Sequence, residues 1–474
     1  MAKVTVTPDA GQSVLKLKLS IPFDGQGFSA NVGPDGTVVP YEYSGWRDEM
    51  HSWVSGSYLG TGLSMTWAWS IKGPDAQQFL KDFFINRFDT FEVGATIHGI
   101  MVNEEGVIVN DGVIMHISED EYFLNCVHPY LQYVWEMNKH KYNAVAEDLS
   151  RKRVMYQVAG PTSLQLMEKV TGQNLHNIKY HHHEAAKICG HDVFILRLGM
   201  SGTLGYEVHA DMEYAHEIYE AIWQAGKEKY GLRKLGQLAY LMNHTEDGFP
   251  QYHYHFAYPW LEDEGFMSWL RGEGKVYLVQ DVYPDFTEEL DLFGSMGKED
   301  RSILYRDPVQ VGWDCFIDFS RDFLGKAALE KLVAERKSKM VSLEWNAEDI
   351  GKVFISQFDG SAEPYCPMDR PNDFYYPYQD PYIGTAYHTD RVEDAEGNLV
   401  GMSSGRARSA HYNRMISLCT IDVKYQEGDE VFVVWGEPGK RQLRIRATVS
   451  RFPYLQETRS EDLDVSKIPF GFEE

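Results

Sequence analysis

The chain has 474 residues, of which 70 are acidic and 45 basic, so its formal net charge is −25. A uniformly acidic chain repels nucleic acid and anionic membrane surfaces, so neither is an expected partner. The five cysteines are scattered without a Cys-x-x-Cys pair, which argues against a disulfide framework and a thiolate metal site. With no secretory signal pattern and no long apolar run, the expected location is cytoplasmic.

Composition and turn signals divide the chain into five segments. In chain order we expect an N-terminal extension, two halves of one domain, an insertion with a linking α/β domain, and a C-terminal barrel of short strands. These segments are residues 1–45, 46–150, 151–260, 261–380 and 381–474.

Two stretches of the first domain share one pattern. Residues 71–80 and 158–167 each read as an apolar strand end, a Gly-Pro turn and an amphipathic helix. Proline suits the first helical turn, where its missing N–H has no intrahelical partner. The similarity predicts duplicated half-domains, which usually place a ligand site between them; the alternative is a chance likeness of two strand–turn–helix units.

Other elements follow from periodicity and turn residues. An apolar hairpin is expected at 101–113, and the segment Asn110-Asp111-Gly112 is interpreted as a turn after its second strand. The remaining elements predicted in chain order are a strand at 14–19, a strand at 193–198, a helix at 214–230, a helix at 326–333, an aromatic loop at 375–378 and a strand at 430–436.

Common chemical motifs are missing or fail in context. Residues 25–30 match Gly-x-Gly-x-x-Ala, but a turn and not a helix follows, so no dinucleotide site is expected. The three histidines at 181–183 cannot all face one ion and are interpreted as a polar turn. His253 and His255 could share one face of a strand, but a third ligand is not evident, so no metal is expected.

Seven short motifs, none specific alone, occur in a characteristic order. They are Gly73-Pro74, Asn103-Glu104-Glu105-Gly106 with Asn110-Asp111, Gln157 with Gly160-Pro161, residues 199–207 (GMSGTLGYE), residues 322–329 (DFLGKAAL), residues 401–405 (GMSSG) and Phe452-Pro453-Tyr454. In this order, over about residues 46–455, they resemble the folate-binding aminomethyltransferase family, which includes the glycine cleavage T-protein. The resemblance implies an α+β fold: duplicated ferredoxin-like halves form a folate-binding core, followed by a small C-terminal β-barrel.

Within that family the chain is most similar to the tetrahydrofolate-dependent O-demethylases of vanillate, 3-O-methylgallate and syringate. The length and residues 341–350 resemble theirs. Tyr240 stands where aminomethyltransferases usually have an arginine, as it does in the demethylases. The resemblance implies a demethylase that moves a methyl group from a small donor, such as a methoxyarene, to N5 of tetrahydrofolate and produces 5-methyltetrahydrofolate.

The same resemblance assigns roles to five residues. Tyr240 is the expected general acid, because a phenol has a pKa matched to that of a phenolate leaving group. Glu207 is the expected pterin-binding carboxylate, with Gln157 and Phe249 in the same pocket. Asp111 matches the aspartate near folate N5 in the T-protein; the alternative reading is a turn residue.

The substrate side departs from the methoxybenzoate demethylases. The histidine and arginine that hold their substrate correspond here to Met65 and Val127, with His128 next to Val127 as a substitute if the alignment shifts by one residue. A buried aryl carboxylate would lack its charge partner, which is costly. We therefore expect an uncharged or cationic donor: a neutral methoxyarene, an N-methyl compound, a sulfonium or a halomethane.

Two other functions stay open at this point. One is an aminomethyltransferase acting on a lipoyl carrier protein, against which Tyr240 and the divergent loop at 250–310 count. The other is a folate-binding regulatory or assembly protein without turnover. The donor, the role of the insertion at 261–310, the basic residues that meet the folate tail and the oligomeric state, a homo-oligomer included, are left undetermined.

Overall fold

A computed structural model describes residues 29–32, 38–61, 67–127, 129–150, 152–252, 254–276, 291–297, 300–373 and 386–472. No helix within these ranges is long and apolar enough to cross a membrane. The strand expected at 14–19 and the aromatic loop at 375–378 lie outside them.

The strands account for most of the regular structure. They are β1 Ser29–Val32, β2 Val38–Glu42, β3 Ser57–Gly60, β4 Trp67–Lys72, β5 Thr96–Val102, β6 Ile108–Ser118, β7 Glu121–Val127, β8 Val145–Asp148, β9 Arg153–Ala159, β10 His183–Ile188, β11 His191–Leu196, β12 Gly205–Asp211, β13 Leu232–Leu235, β14 Asp291–Phe293, β15 Ser338–Trp345, β16 Ala386–Glu393, β17 Leu399–Ser409, β18 Arg414–Asp422, β19 Glu430–Trp435 and β20 Leu443–Ser450.

The helices are short and pack against these sheets. They are α1 Trp46–Met50, α2 Ser52–Ser55, α3 Ala76–Phe83, α4 Pro129–Asn138, α5 Ser163–Thr171, α6 Ala215–Gly226, α7 Gln237–Asp247, α8 Glu264–Arg271, α9 Lys326–Ala334 and α10 Ala347–Ser356. In α3 the buried residues Ala76, Phe79 and Leu80 recur at helical spacing, so one face covers the first sheet.

The first domain is a duplication. The run β4–α3–β5–β6–β7–α4–β8 is repeated as β9–α5–β10–β11–β12–α6–β13. The first sheet has the order β5-β6-β7-β4-β8, and the second has the order β10-β11-β12-β9-β3-β13. The two orders correspond except that β3, from the start of the chain, is inserted between β9 and β13. The predicted duplication is confirmed.

A glycine in an unusual conformation explains why both halves carry a Gly-Pro turn. Gly73 has φ +136° and Gly160 has φ +131°, values that L side chains rarely adopt. A Cβ on Gly160 would lie 2.3 Å from the carbonyl oxygen of Gly56, so the turn also needs the close approach. Pro74 and Pro161 lie in the turns before α3 and α5, and not in the first helical turn as expected, because each helix begins two residues later.

The C-terminal strands close into a barrel. Strands β16, β17, β18, β15, β20 and β19 follow one another as antiparallel neighbours, and β19 also pairs with β16. Closure leaves these six strands without a free edge, and the inward-facing side chains form one apolar cluster that includes Leu343, Ile421 and Val433. The sequence-based fold class, a duplicated α+β core followed by a small barrel, is confirmed.

Helix α7 lies where the domains meet. A single apolar cluster joins Trp53 of α2, Tyr58 of β3, Tyr240 of α7 and Ile416 of the barrel. After β20 the chain leaves the barrel and returns to the second half, where Arg459 contacts Asp247 at 2.9 Å. The core, the barrel and the C-terminal tail therefore all fix the position of α7.

Candidate active site

A buried polar pair occupies the centre of the second sheet. Strands β9 and β12 are antiparallel, with Gln157 directly opposite Glu207. Opposed residues of an antiparallel pair project on the same side of the sheet, and both side chains are only 1% exposed. Nε2 of His209 lies 3.0 Å from a carboxylate oxygen of Glu207. The sheet thus presents a carboxylate and an amide side by side.

Tyr58 sets the orientation of that amide. Its hydroxyl donates a hydrogen bond to Oε1 of Gln157, and burial raises the pKa of Tyr58, which keeps it a phenol. Nε2 of Gln157 is buried and has no partner among the residues that the structure describes. An unsatisfied buried donor costs about 1–3 kcal/mol. The pair therefore fits a heterocycle edge that offers N–H donors to Glu207 and a carbonyl acceptor to Gln157.

A second polar group surrounds Asp111 in the first half. Nε2 of His98 lies 2.8 Å from one carboxylate oxygen of Asp111, and the hydroxyl of Tyr258 donates to the other. The backbone N–H of Asp111 in turn donates to the Tyr258 hydroxyl oxygen at 3.0 Å. Asp111 belongs to β6, so the interpretation of this position as a turn after the hairpin strand was wrong. The carboxylate is held on both sides.

Aromatic rings connect this group to α7. The ring of Phe249 lies 5.2 Å from His98 and 6.4 Å from His244, measured between centroids. His244 is 5.1 Å from Tyr240 in an edge-on arrangement. Trp313 closes the side, 4.5 Å from His98. Tyr240 and Phe249 are thus linked through consecutive ring contacts to His98, which contacts Asp111.

Local structure fixes Tyr240 in α7 and Phe249 just beyond its end. Gly248 ends the helix in the left-handed conformation, φ +74°, and the following N–H of Phe249 donates to the carbonyl of His244. Tyr240 is 6% exposed. Burial lowers the pKa of His244 to about 4, so this imidazole is neutral, and its Nδ1 lies 3.2 Å from the Tyr240 carbonyl oxygen. A neutral, largely apolar enclosure results.

Comparison with known proteins identifies the fold and the family. The GCVT N-terminal domain model matches residues 39–258. The chain is 38% identical over 436 residues to sesamin methylene transferase from Sinomonas sp., covering 91% of this chain and 93% of that protein. The chain belongs to the GCVT aminomethyltransferase family. This membership confirms the resemblance found in the sequence.

More distant relatives agree with that assignment. Syringate O-demethylase from Sphingobium sp. is 27% identical over 446 residues, covering 89% of this chain and 91% of the relative. Aminomethyltransferase from Phocaeicola vulgatus is 30% identical over 204 residues, which are 42% of this chain and 56% of that protein. The solved aminomethyltransferase T of the glycine cleavage system from Bartonella henselae superimposes with a TM-score of 0.61 at 15% identity, covering 92% and 96% of the two chains. The chain is an enzyme of this folate-using GCVT family.

The substrate residues expected from the resemblance stay predictions. Met65 and His128 lie outside the described residues, and so does His253. Val127 is the last residue of β7, and its side chain is outside the described part of the chain.

Sequence reasoning missed the residues that hold the expected ones in place. His98 and Tyr258 come from β5 and from a loop beyond α7, and Tyr58 comes from β3, a four-residue strand. One available signal was the polar His98 within an otherwise apolar strand. Tyr58 gave no such signal, because its neighbours β9 and β13 come from much later in the sequence.

Proposed function

We propose that this protein transfers a one-carbon unit from a neutral aryl ether to N5 of tetrahydrofolate. The observation that supports this most directly is the buried phenol of Tyr240. It packs in one apolar cluster with Tyr58, whose hydroxyl holds Gln157, and its ring contacts lead to Asp111. We therefore assign the acid role to Tyr240, with the heterocycle edge held by Glu207 and Gln157 and the base role given to Asp111.

Tetrahydrofolate fits the polar pair in the second sheet. Its pterin ring carries adjacent N–H donors, which a carboxylate such as Glu207 accepts in a strong charge-assisted pattern. The Nε2 of Gln157, which has no partner within the described ranges, would donate to the neighbouring pterin carbonyl oxygen. Because the folate leaves carrying the one-carbon unit, it is a co-substrate, and it supplies the nucleophile N5.

Tyr240 supplies the proton that the reaction requires. Breaking an aryl ether bond leaves a phenolate, which is a poor leaving group unless it is protonated as it departs. The phenol of Tyr240 is matched to that task and sits in a water-poor enclosure of rings. Asp111, held by His98 and Tyr258, would receive the proton that N5 loses.

Two kinds of neutral donor suit this chemistry. A methoxyarene would give 5-methyltetrahydrofolate and a phenol. A methylenedioxyarene would give 5,10-methylenetetrahydrofolate and a catechol, and the similarity to a protein named sesamin methylene transferase supports this second donor. The mass of the folate product distinguishes them.

The test is incubation of the purified protein with tetrahydrofolate and one donor at a time, followed by mass spectrometry of the folates. The donors are methoxybenzene, 1,2-methylenedioxybenzene, sesamin, and a sesamin analogue with methoxy groups in place of the bridges. A folate carrying one extra carbon, formed by the wild type and reduced at least about 100-fold in Tyr240→Phe, is expected. Unchanged folate with every donor would overturn the proposal.

A further inference from the structure

His98, which contacts Asp111 through one ring nitrogen, has its other ring nitrogen without a partner in the part of the chain that the structure describes. The side chain is 9% exposed, and its Nδ1 is buried without a partner among the described residues. Three rings surround the imidazole of His98, with centroid distances of 4.5 Å to Trp313, 5.2 Å to Phe249 and 6.0 Å to Phe316. A buried imidazole nitrogen without a partner is costly, so this nitrogen is available to a ligand that enters the enclosure.

The other ring nitrogen is fixed, which gives Nδ1 a defined function. Nε2 faces the carboxylate of Asp111 at 2.8 Å, and Tyr258 holds the second carboxylate oxygen. In neutral His98 the proton is assigned to Nε2, because the carboxylate only accepts. Nδ1 then has a lone pair, and it becomes a donor when the imidazole gains a proton. His98 can therefore take up and return a proton without moving.

We propose that His98 is a second catalytic acid–base residue, acting on the second oxygen of a methylenedioxyarene donor. This inference rests on the proposed function and names its substrate class. A methoxyarene releases one phenolate, for which Tyr240 suffices. A methylenedioxyarene releases two adjacent oxygens in succession, and each needs a proton. Phe249 contacts the rings of both His98 and His244, and His244 contacts Tyr240, so the two acids belong to one enclosure.

The proton balance closes without an oxidant or a reductant. N5 forms a bond to the bridging carbon while the bond between that carbon and the first aryl oxygen breaks, the electron pair stays on the oxygen, and Tyr240 protonates that oxygen. Asp111 takes the proton from N5 and, when a second oxygen must leave, shares it with the hydrogen-bonded His98. The N5 lone pair then expels the second oxygen, which His98 protonates. N10 closes on the carbon, and its proton returns to Tyr240.

The experiment uses His98→Gln, since the glutamine amide can still donate to Asp111 but does not titrate. With sesamin as the donor, formation of 5,10-methylenetetrahydrofolate is expected to fall at least about 100-fold. Acid-quenched reactions should accumulate a species with the summed mass of tetrahydrofolate and sesamin, because only the first bond breaks. The dissociation constant for tetrahydrofolate should stay within about twofold. The methoxy analogue should lose less than about tenfold.

His116→Gln is the matched control. Like His98, His116 is a buried histidine, and it lies on β6. Its Nδ1 lies 2.8 Å from the Phe91 carbonyl oxygen, and its ring stacks on Tyr122. The His116 variant should convert sesamin and the methoxy analogue in the same proportion as the wild type. Equal losses with both donors and no summed-mass species would reduce His98 to a positioning residue and overturn the inference. A wild-type protein that converts the methoxy analogue but not sesamin would also overturn the inference. A wild type inactive with both donors would overturn the proposed function itself.

Discussion

Glu207 and Gln157 form a buried pair because they are directly opposed on antiparallel strands and each is only 1% exposed. An acceptor and a donor stand side by side, and Tyr58 decides which end of the amide is the donor. Such a pair would suit the edge of a flat heterocycle, and no conformational change is needed to assemble it.

Replacing Glu207 by glutamine should weaken tetrahydrofolate binding without unfolding the protein. The amide keeps the shape but loses the charge and one acceptor, so we expect the dissociation constant to rise about 10- to 100-fold, equivalent to about 1.5–3 kcal/mol. Titration calorimetry measures it. Glu184→Gln, an exposed position on β10 of the same sheet, is the control. Equal tetrahydrofolate affinities of the Glu207 variant and the wild type would show that this carboxylate does not bind the folate.

Tyr240→Phe tests the proposed acid at the same scale. Loss of the hydroxyl should lower kcat about 10²- to 10⁴-fold and leave the tetrahydrofolate dissociation constant unchanged, since the ring still packs in its cluster. Steady-state kinetics gives kcat and calorimetry gives the tetrahydrofolate dissociation constant, both measured on one preparation. Tyr142→Phe, whose hydroxyl donates to Asp82 in the first half, is the control. A large change in folate affinity with kcat preserved would contradict the acid role.

At the scale of single elements, the Gly-Pro turns decide where β4 and β9 end. Gly160 ends β9, three residues after Gln157, and combines φ +131° with a 2.3 Å approach of a built Cβ to the Gly56 carbonyl oxygen. Gly160→Ala should lower the free energy of unfolding by about 1–3 kcal/mol. It should also weaken folate binding, because β9 must shift.

Urea denaturation measures this effect. Gly351→Ala is the matched control, because a Cβ there meets nothing within 4 Å and α10 gains a better helix former. It should be neutral or slightly stabilising. A Gly160 variant as stable as the Gly351 variant would show that the turn tolerates a side chain.

The same turns show which parts of the molecule the sequence could predict. Gly73 and Gly160 have a local conformational requirement, so their repetition was visible in the sequence and led to the duplicated fold. The grouping of His98, Asp111 and Tyr258 depends on three segments that meet only after folding. Resemblance to a family could supply Asp111, but the residues that hold it needed the structure.

At the scale of the whole molecule, the barrel contains a second buried charge network, separate from the proposed active site. The Nε of Arg406 lies 2.6 Å from Asp373, and the Nε2 of His388 lies 3.0 Å from Asp390. All four side chains are buried. Although Asp373, His388 and Asp390 approach one another closely enough to hold a metal ion, the guanidinium and imidazolium already balance the two carboxylates.

This network predicts a pH dependence of stability. Burial lowers the pKa of His388, but Asp373 and Asp390 outweigh it and raise the pKa to about 9, against 6.5 for an ordinary histidine. The folded state therefore holds the proton more tightly. The stabilisation, up to about 3 kcal/mol, is fully present below about pH 6.5 and is lost as the pH rises through 9.

Urea unfolding at pH 6 and pH 9.5 checks the sign. The wild type should lose more stability over this interval than His388→Gln, in which the titrating group is missing. His140→Gln, at an exposed position, should behave like the wild type. A His388 variant with the same pH dependence as the wild type would show that the imidazolium does not stabilise the barrel.

The most direct test of the central claim is to follow the ether carbon itself. The protein is mixed with tetrahydrofolate and a donor labelled with carbon-13 at the ether carbon, either the methylenedioxy bridge of sesamin or the methoxy groups of its analogue, and the folate is analysed by carbon-13 NMR. We predict that the label appears on the folate, bonded to N5, in an amount equal to the phenolic product. Label released as formaldehyde or methanol, with the folate unlabelled, would contradict transfer to tetrahydrofolate.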